Sequence, residues 1–202
     1  MTDPVAAAYD ARAAEYVALG GDLTQMAAED TAVIAAWRDA TPGRLLDAGS
    51  GPGHWTEFLR AGHREVRGVD LSEQFIAHAR STYPGIEFVA GSFAVLPLPD
   101  ASLGGILAWY SLIHTPPERL PAIFAEFARV LAPGGSLLLG FFDGTPREPF
   151  AHAVAPAWYW TPEAVAEILD PAGFTATASE RRPRAAGEIS ARPHASLTAT
   201  RR

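Results

Sequence analysis

The chain has 202 residues, 48% of them hydrophobic and 10% aromatic, which is apolar material for one core and too little length for two full enzyme domains. Its 16 Lys and Arg against 23 Asp and Glu give a formal charge of -7, which disfavours nonspecific attraction to a phosphate backbone, so nucleic acid is not an expected partner. With no cysteine there is no disulfide framework, no thiolate metal site and no thiol nucleophile, and no metal is assigned.

The start Met1-Thr2-Asp3-Pro4 lacks the basic segment and apolar run of a secretory signal, and no stretch is apolar enough to cross a bilayer, so a cytoplasmic protein without a membrane partner is expected. From Pro4 to Ala40 the alanine-rich sequence predicts two helices with a break near Gly20 and Gly21. After Thr41-Pro42-Gly43, the apolar run 44–48 reads as a strand, Asp47 to Gly53 as a glycine-rich turn, and Trp55 to Leu59 as a helix. The alternation continues with strands at 64–69, 86–90 and 103–109 and a helix over 72–82.

A helix is predicted from Pro117 to Leu131, stopped by Pro133-Gly134-Gly135 before a strand over 136–142. Beyond Phe142, a loop with Pro146, Pro149 and His152 leads to Trp158-Tyr159-Trp160. Thr161 then caps a helix that ends near Gly173. Strands over 174–179 and 195–200 finish the chain, joined by an Arg- and Pro-rich loop from Glu180 to Pro193 that is expected to be mobile. Alternating strands and helices imply an α/β fold with a mostly parallel sheet covered on both faces. One domain over 1–202 is expected, with a helical cap at 1–40, a cofactor-binding core at 41–142 and a substrate-side segment at 143–202.

Gly49, Gly51 and Gly53 stand where a strand passes into a helix, where the absence of a side chain lets backbone approach a ligand. Asp70 ends the next strand, about 20 residues on, where a carboxylate can accept both hydrogen bonds of a ribose diol. Together they read as a nucleoside-cofactor site. The third glycine comes one residue earlier than in the dinucleotide pattern G-x-G-x-x-G, and Pro52 intervenes, which weakens the case for pyrophosphate.

Leu45 to Gly53 resembles the first motif of the class I S-adenosylmethionine-dependent methyltransferases, and Gly68-Val69-Asp70-Leu71-Ser72 the second. Gly91-Ser92-Phe93 with Leu96 to Asp100 resembles the segment after strand three, Trp109 to His114 the segment after strand four, and Leu131 to Gly135 the turn before strand five. The likeness runs from about Tyr9 to Thr200, and the chain resembles the small bacterial methyltransferases of types 11 and 25. It implies a Rossmann-like sheet of seven strands, with the last inserted antiparallel beside the fifth. It also implies S-adenosylmethionine as cofactor, with S-adenosylhomocysteine as product.

Carried over residue by residue, the resemblance puts Asp70 on the ribose hydroxyls, the three glycines beneath the methionine and ribose portions, and Asp47 below the methionine amino group. Ser92 and Phe93 border adenine, Leu71 packs on the base, and the Trp109 carbonyl faces the ammonium. Where the family often has an acidic residue in the adenine segment, this chain has Ser92. Tyr9 and Tyr16, seven residues apart on the first helix, share a face and resemble the N-terminal lid. For Phe93 and Leu71 core packing is the alternative role, and for the two tyrosines it is anchoring of the cap.

Methyl transfer needs alignment and desolvation more than proton chemistry, and a base becomes useful when the acceptor is a hydroxyl or protonated amine. His114 and His152 follow strands four and five at the carboxyl edge of the sheet and are the candidate catalytic residues. The alternative is that His114 caps the helix starting at Pro117, and that His152 is a hydrogen-bonded loop residue. His54 is expected to fix the glycine turn. A small-molecule acceptor methylated at O, N or C is the leading reading. An NAD(P)-dependent oxidoreductase or epimerase, and a cofactor-binding protein without methyl transfer, are the alternatives.

Overall fold

Two helices lead into the sheet in a computed structural model that describes residues 3–183 and 192–202. Helix α1 (Pro4–Gly20) begins where the Asp3 carboxylate accepts from the amides of Val5 and Ala6, and α2 (Ala28–Ala40) follows the break at Gly20 and Gly21. The indole N–H of Trp37 on α2 donates to Ser136 Oγ at 2.8 Å, which ties the cap to the sheet.

The strands are β1 (Leu45–Ala48), β2 (Val66–Asp70), β3 (Glu87–Ala90), β4 (Leu103–Trp109), β5 (Leu131–Phe142), β6 (Pro149–Phe150), β7 (Ala157–Trp158), β8 (Phe174–Arg182) and β9 (His194–Arg201). Seven of them form one sheet in the order β3-β2-β1-β4-β5-β9-β8, parallel throughout except for β9, which is antiparallel to both neighbours. This is the Rossmann-like arrangement that the resemblance implies. Strand order reverses between β1 and β4, so the connections leaving their carboxyl ends diverge to opposite faces and open a cleft there.

Helices α3 (His54–Leu59) and α4 (Glu73–Thr82) lie with α2 on one face, while α5 (Leu120–Val130) and α6 (Pro162–Leu169) cover the other. On α5, Leu120, Ile123, Phe124, Phe127 and Val130 recur at helical spacing and are buried against β4 and β5 in the larger core. Removing a ring such as Phe127 would cost about 3–5 kcal/mol.

Several boundaries differ from the sequence reading, among them the start of β5 at Leu131, ahead of the Pro133-Gly134-Gly135 stop. The helix expected from Pro117 is a 3-10 turn at Pro117–Arg119 followed by α5, because Pro121 has no N–H to donate to the Pro117 carbonyl. The segment after Phe142 contains the short hairpin β6–β7. The expected loop from Glu180 to Pro193 begins in ladder, with Glu180, Arg181 and Arg182 paired to Ser196, Ala195 and His194. Residues 184–191 of that loop lie outside the described residues.

Candidate active site

The glycine turn closes immediately beyond β1. The amides of Gly49 and Ser50 donate to the Val69 carbonyl at 2.7 and 3.0 Å, and Gly53 donates to Ser50 at 3.0 Å. Gly49 has φ 82°, and a Cβ placed on it would lie 2.2 Å from Ser111 Cβ. Gly53 has φ 96°, and a Cβ there would press on Phe88 and Ala79. Both glycines are therefore required by backbone geometry and by close neighbours. Above Gly51 the structure is open, with nothing within 4 Å of where a Cβ would sit.

Asp70, the last residue of β2, faces this opening. Its Oδ2 accepts from the Gly51 amide at 2.8 Å and its Oδ1 from the Ser72 amide at 2.8 Å. Burial pushes its carboxyl up, against the pull of those amides. Asp47, 2% exposed beneath the turn, accepts from Thr56 Oγ1 at 2.7 Å, and burial raises its pKa to about 7.

The adenine side is less uniform. Leu71 is half-buried, and Ser92 Oγ accepts from the Ala94 amide at 3.1 Å, so this side chain shapes its own turn. The Phe93 ring packs 6.2 Å from Phe127 in the core on the opposite face, which leaves its backbone for any ligand. Trp109 ends β4 beside β1, and its indole N–H is buried.

A second group of residues faces the cleft from remote segments. Tyr9 on α1 and Nε2 of His114 are 2.9 Å apart, while His114 Nδ1 lies 2.9 Å from the Pro156 carbonyl. A carbonyl only accepts, so Nδ1 carries the proton, and the neutral ring presents its lone pair at Nε2 to the Tyr9 hydroxyl. His114 is 8% exposed, and burial lowers its pKa. His114 does not cap the following turn, which has no side-chain cap. The His152 ring stands 5.0 Å from that of His114 and packs on Phe142 and Phe150. Burial, with the neighbouring His114, Arg192 and Arg12, holds its pKa at about 4.

The Tyr9 ring also packs on Phe75 and Tyr16, and burial, together with Tyr16 and Asp70, pushes its phenol up. Tyr16 is 39% exposed and stacks on Phe75 of α4, which anchors the cap. Several contributors were not identified in the sequence. Asp10 accepts from Ser72 Oγ at 2.6 Å and from the Gln74 amide at 3.2 Å, which docks α1 beside Asp70. Thr56 orients Asp47, Ser111 backs Gly49, and Tyr110 and His194 pair beneath Phe142. None of these carries a local signal, because each partner lies on a different element. His54, expected to fix the turn, is buried against Trp55, and among the described residues neither ring nitrogen has a hydrogen-bond partner.

A family model described as a methyltransferase domain matches residues 45–135. The chain is 33% identical over 138 residues to a probable S-adenosylmethionine-dependent methyltransferase of Mycolicibacterium smegmatis, a match covering 64% of this chain and 51% of that protein. It is 35% identical over 136 residues to the trans-aconitate 2-methyltransferase of Methylobacterium nodulans, covering 65% of this chain and 49% of that one. The chain thus spans about half the length of the curated relatives it matches. Among solved structures, the 1,6-didemethyltoxoflavin-N1-methyltransferase of Burkholderia thailandensis, with 1,6-didemethyltoxoflavin and S-adenosylhomocysteine bound, superposes with a TM-score of 0.76. That match is 25% identical and covers 100% of this chain and 91% of that one.

Proposed function

We propose that the chain belongs to the class I S-adenosylmethionine-dependent methyltransferases, and that this cleft binds S-adenosylmethionine and directs its methyl group to a small-molecule acceptor at O, N or C. One juxtaposition carries the reading: the Asp70 carboxylate at the end of β2 borders the open space above Gly51, in the cleft where strand order reverses. A ribose diol donates two hydrogen bonds to such a carboxylate. The names of two relatives, which act on trans-aconitate and on 1,6-didemethyltoxoflavin, support a small acceptor.

When bound, S-adenosylmethionine supplies an electrophilic methyl carbon. The protein's part is placement. Asp70 holds the ribose, and Asp47, oriented by Thr56, takes the ammonium together with the Trp109 carbonyl. Leu71 and the backbone of Ser92 and Phe93 border the base, and α1 closes over the cleft through Tyr9, with Tyr16 anchoring it on Phe75. An acceptor N–H or O–H that takes the place of the Tyr9 hydroxyl delivers its proton to His114 Nε2, while Nδ1–H stays on Pro156 and fixes the ring. His152, neutral at its lowered pKa, lines the same chamber as a hydrogen-bonding wall. We further assign the cap to 1–40, the cofactor core to 41–142 and the acceptor side to 143–202.

Calorimetry with S-adenosylmethionine, S-adenosylhomocysteine and NAD tests this reading. Both sulfur compounds are expected to bind and NAD is not. Binding of NAD with no response to either sulfur compound overturns the reading in favour of an oxidoreductase.

A further inference from the structure

We propose that His54, with the indole N–H of Trp109 and the hydroxyl of Ser111, receives the carboxylate at the amino-acid end of the cofactor; this rests on the cofactor reading above. His54 is the first residue after Gly53 and is only 5% exposed. Both of its ring nitrogens lack a hydrogen-bond partner among the described residues, as do the buried Trp109 Nε1 and Ser111 Oγ. Leaving one such group unpaired costs about 1–3 kcal/mol, and His54 beside the turn, Trp109 at the end of β4 and Ser111 against Gly49 all do so, while Ser50 Oγ, also unpaired, lies over Gly68.

The three sit at the same edge of the sheet. Trp109 ends β4, which pairs with β1 in register Asp47 to Leu107, and Ser111 follows it to lie where a Gly49 Cβ would fall. His54 opens the helix on the other side of the turn. The chemistry of the trio selects the ligand group. An indole N–H only donates, so its partner must be an acceptor, which excludes an ammonium there. A hydroxyl and an imidazole N–H donate equally well to the same acceptor. Asp47 and Asp70 are already the acceptors for an ammonium and a diol, so the remaining polar group of an adenosyl amino acid is its carboxylate.

Burial holds His54 neutral, with a pKa of about 4, against the pull of Asp22, the charged group that faces it from the segment after α1. A neutral ring still supplies one N–H. Receiving the carboxylate on side-chain donors instead of an arginine also leaves the site without a fixed positive charge beside a cationic sulfonium.

The experiment is calorimetry with two probes, S-adenosylhomocysteine and its decarboxylated analogue, which keeps the adenosine, thioether and amine. The unmodified protein should bind S-adenosylhomocysteine at least about tenfold more tightly than the analogue, the size expected of hydrogen bonds to a charged group. In His54→Phe that ratio should fall by about threefold or more, through loss of S-adenosylhomocysteine affinity, with the analogue changed less than about twofold. Ser111→Ala, which removes one hydroxyl, should lower the ratio about threefold and carries the test if His54→Phe does not fold. Equal affinity of the unmodified protein for the two probes overturns the proposal. So does an equal loss of both probes in His54→Phe, which would make His54 a shaper of the turn. No binding of S-adenosylhomocysteine to the unmodified protein is a different result, and it overturns the cofactor reading itself.

Discussion

The cleft has two halves built in different ways. The half around Gly49, Asp47 and Asp70 is made by one short stretch of chain, a strand, the turn and helix that leave it and the next strand, with backbone amides as the principal donors. The half around Tyr9, His114 and His152 is assembled by side chains from three remote segments, Tyr9 standing 105 residues from His114 and the Pro156 carbonyl 42. A site made of backbone is rigid and legible locally. A site made of long-range side chains exists only after the whole chain has folded, and it is free to vary with the acceptor.

Substitutions should therefore separate the halves by their effect on S-adenosylhomocysteine affinity. Gly49→Ala is expected to act most strongly, because its Cβ would meet Ser111 at 2.2 Å in a left-handed conformation that costs an L-residue about 1–2 kcal/mol. The turn must move, and calorimetry should detect no binding down to about a hundredfold weaker than the unmodified protein. Retained affinity would show that the backbone cradle is not the binding surface. Asp70→Ala comes next, with two charge-assisted hydrogen bonds to the ribose lost and a weakening of about a hundredfold. Asp70→Asn, which keeps one acceptor, should lose less. An unchanged dissociation constant in Asp70→Ala removes that residue from the site.

Asp47 gives a prediction in stability. Its folded pKa of about 7 lies above the ordinary carboxylate value of 3.8, so the unfolded chain releases this proton first. The associated stability is complete below about pH 4 and is lost as the pH rises toward 7. Asp47→Asn has no such loss. Its Tm relative to the unmodified protein should climb by several degrees between pH 4 and 7, at about 2–4 °C per kcal/mol for a chain of this size. His54 and His152, both held at about 4, act in the opposite direction, losing stability as the pH falls from about 6.5 to 4. They are present in both proteins and cancel in the difference. A pH-independent difference would mean that Asp47 is ionised in the folded protein.

The same division explains what the sequence could reveal. Gly49, Gly53 and Asp70 are legible because a positive φ and a strand end each demand a residue type, and the spacing between them is set by one strand, one helix and one strand. The sheet order follows from the alternation of apolar runs. Phe93 was read as a wall of the adenine site as readily as a core residue, since an apolar ring carries no sign of which face it will join. Its contact with Phe127 decides the side chain. For His54, a place beside the turn says nothing about hydrogen bonding, and only coordinates reveal an imidazole buried without a partner. The docking of Asp10 on Ser72 and Gln74 spans more than sixty positions and leaves no local pattern.

The smallest expected effect is the sharpest probe of the boundary between the halves, because Tyr9 lies on it, stacked beside His114 and electrostatically coupled to Asp70. Tyr9→Phe keeps the ring and its packing and removes only the hydroxyl that donates to His114 Nε2. A hydrogen bond to that lone pair favours the neutral imidazole, so its loss should raise the His114 pKa, by under about one unit, in an NMR titration of the ring. Burial still dominates, and the group should remain below its ordinary value. If Tyr9 belongs with the acceptor half, S-adenosylhomocysteine affinity in the same variant should change by less than about threefold, within the net worth of one hydrogen bond. A tenfold loss of affinity with no movement of His114 would transfer Tyr9 to the cofactor half, and would make α1 a lid that binds cofactor before it meets any acceptor.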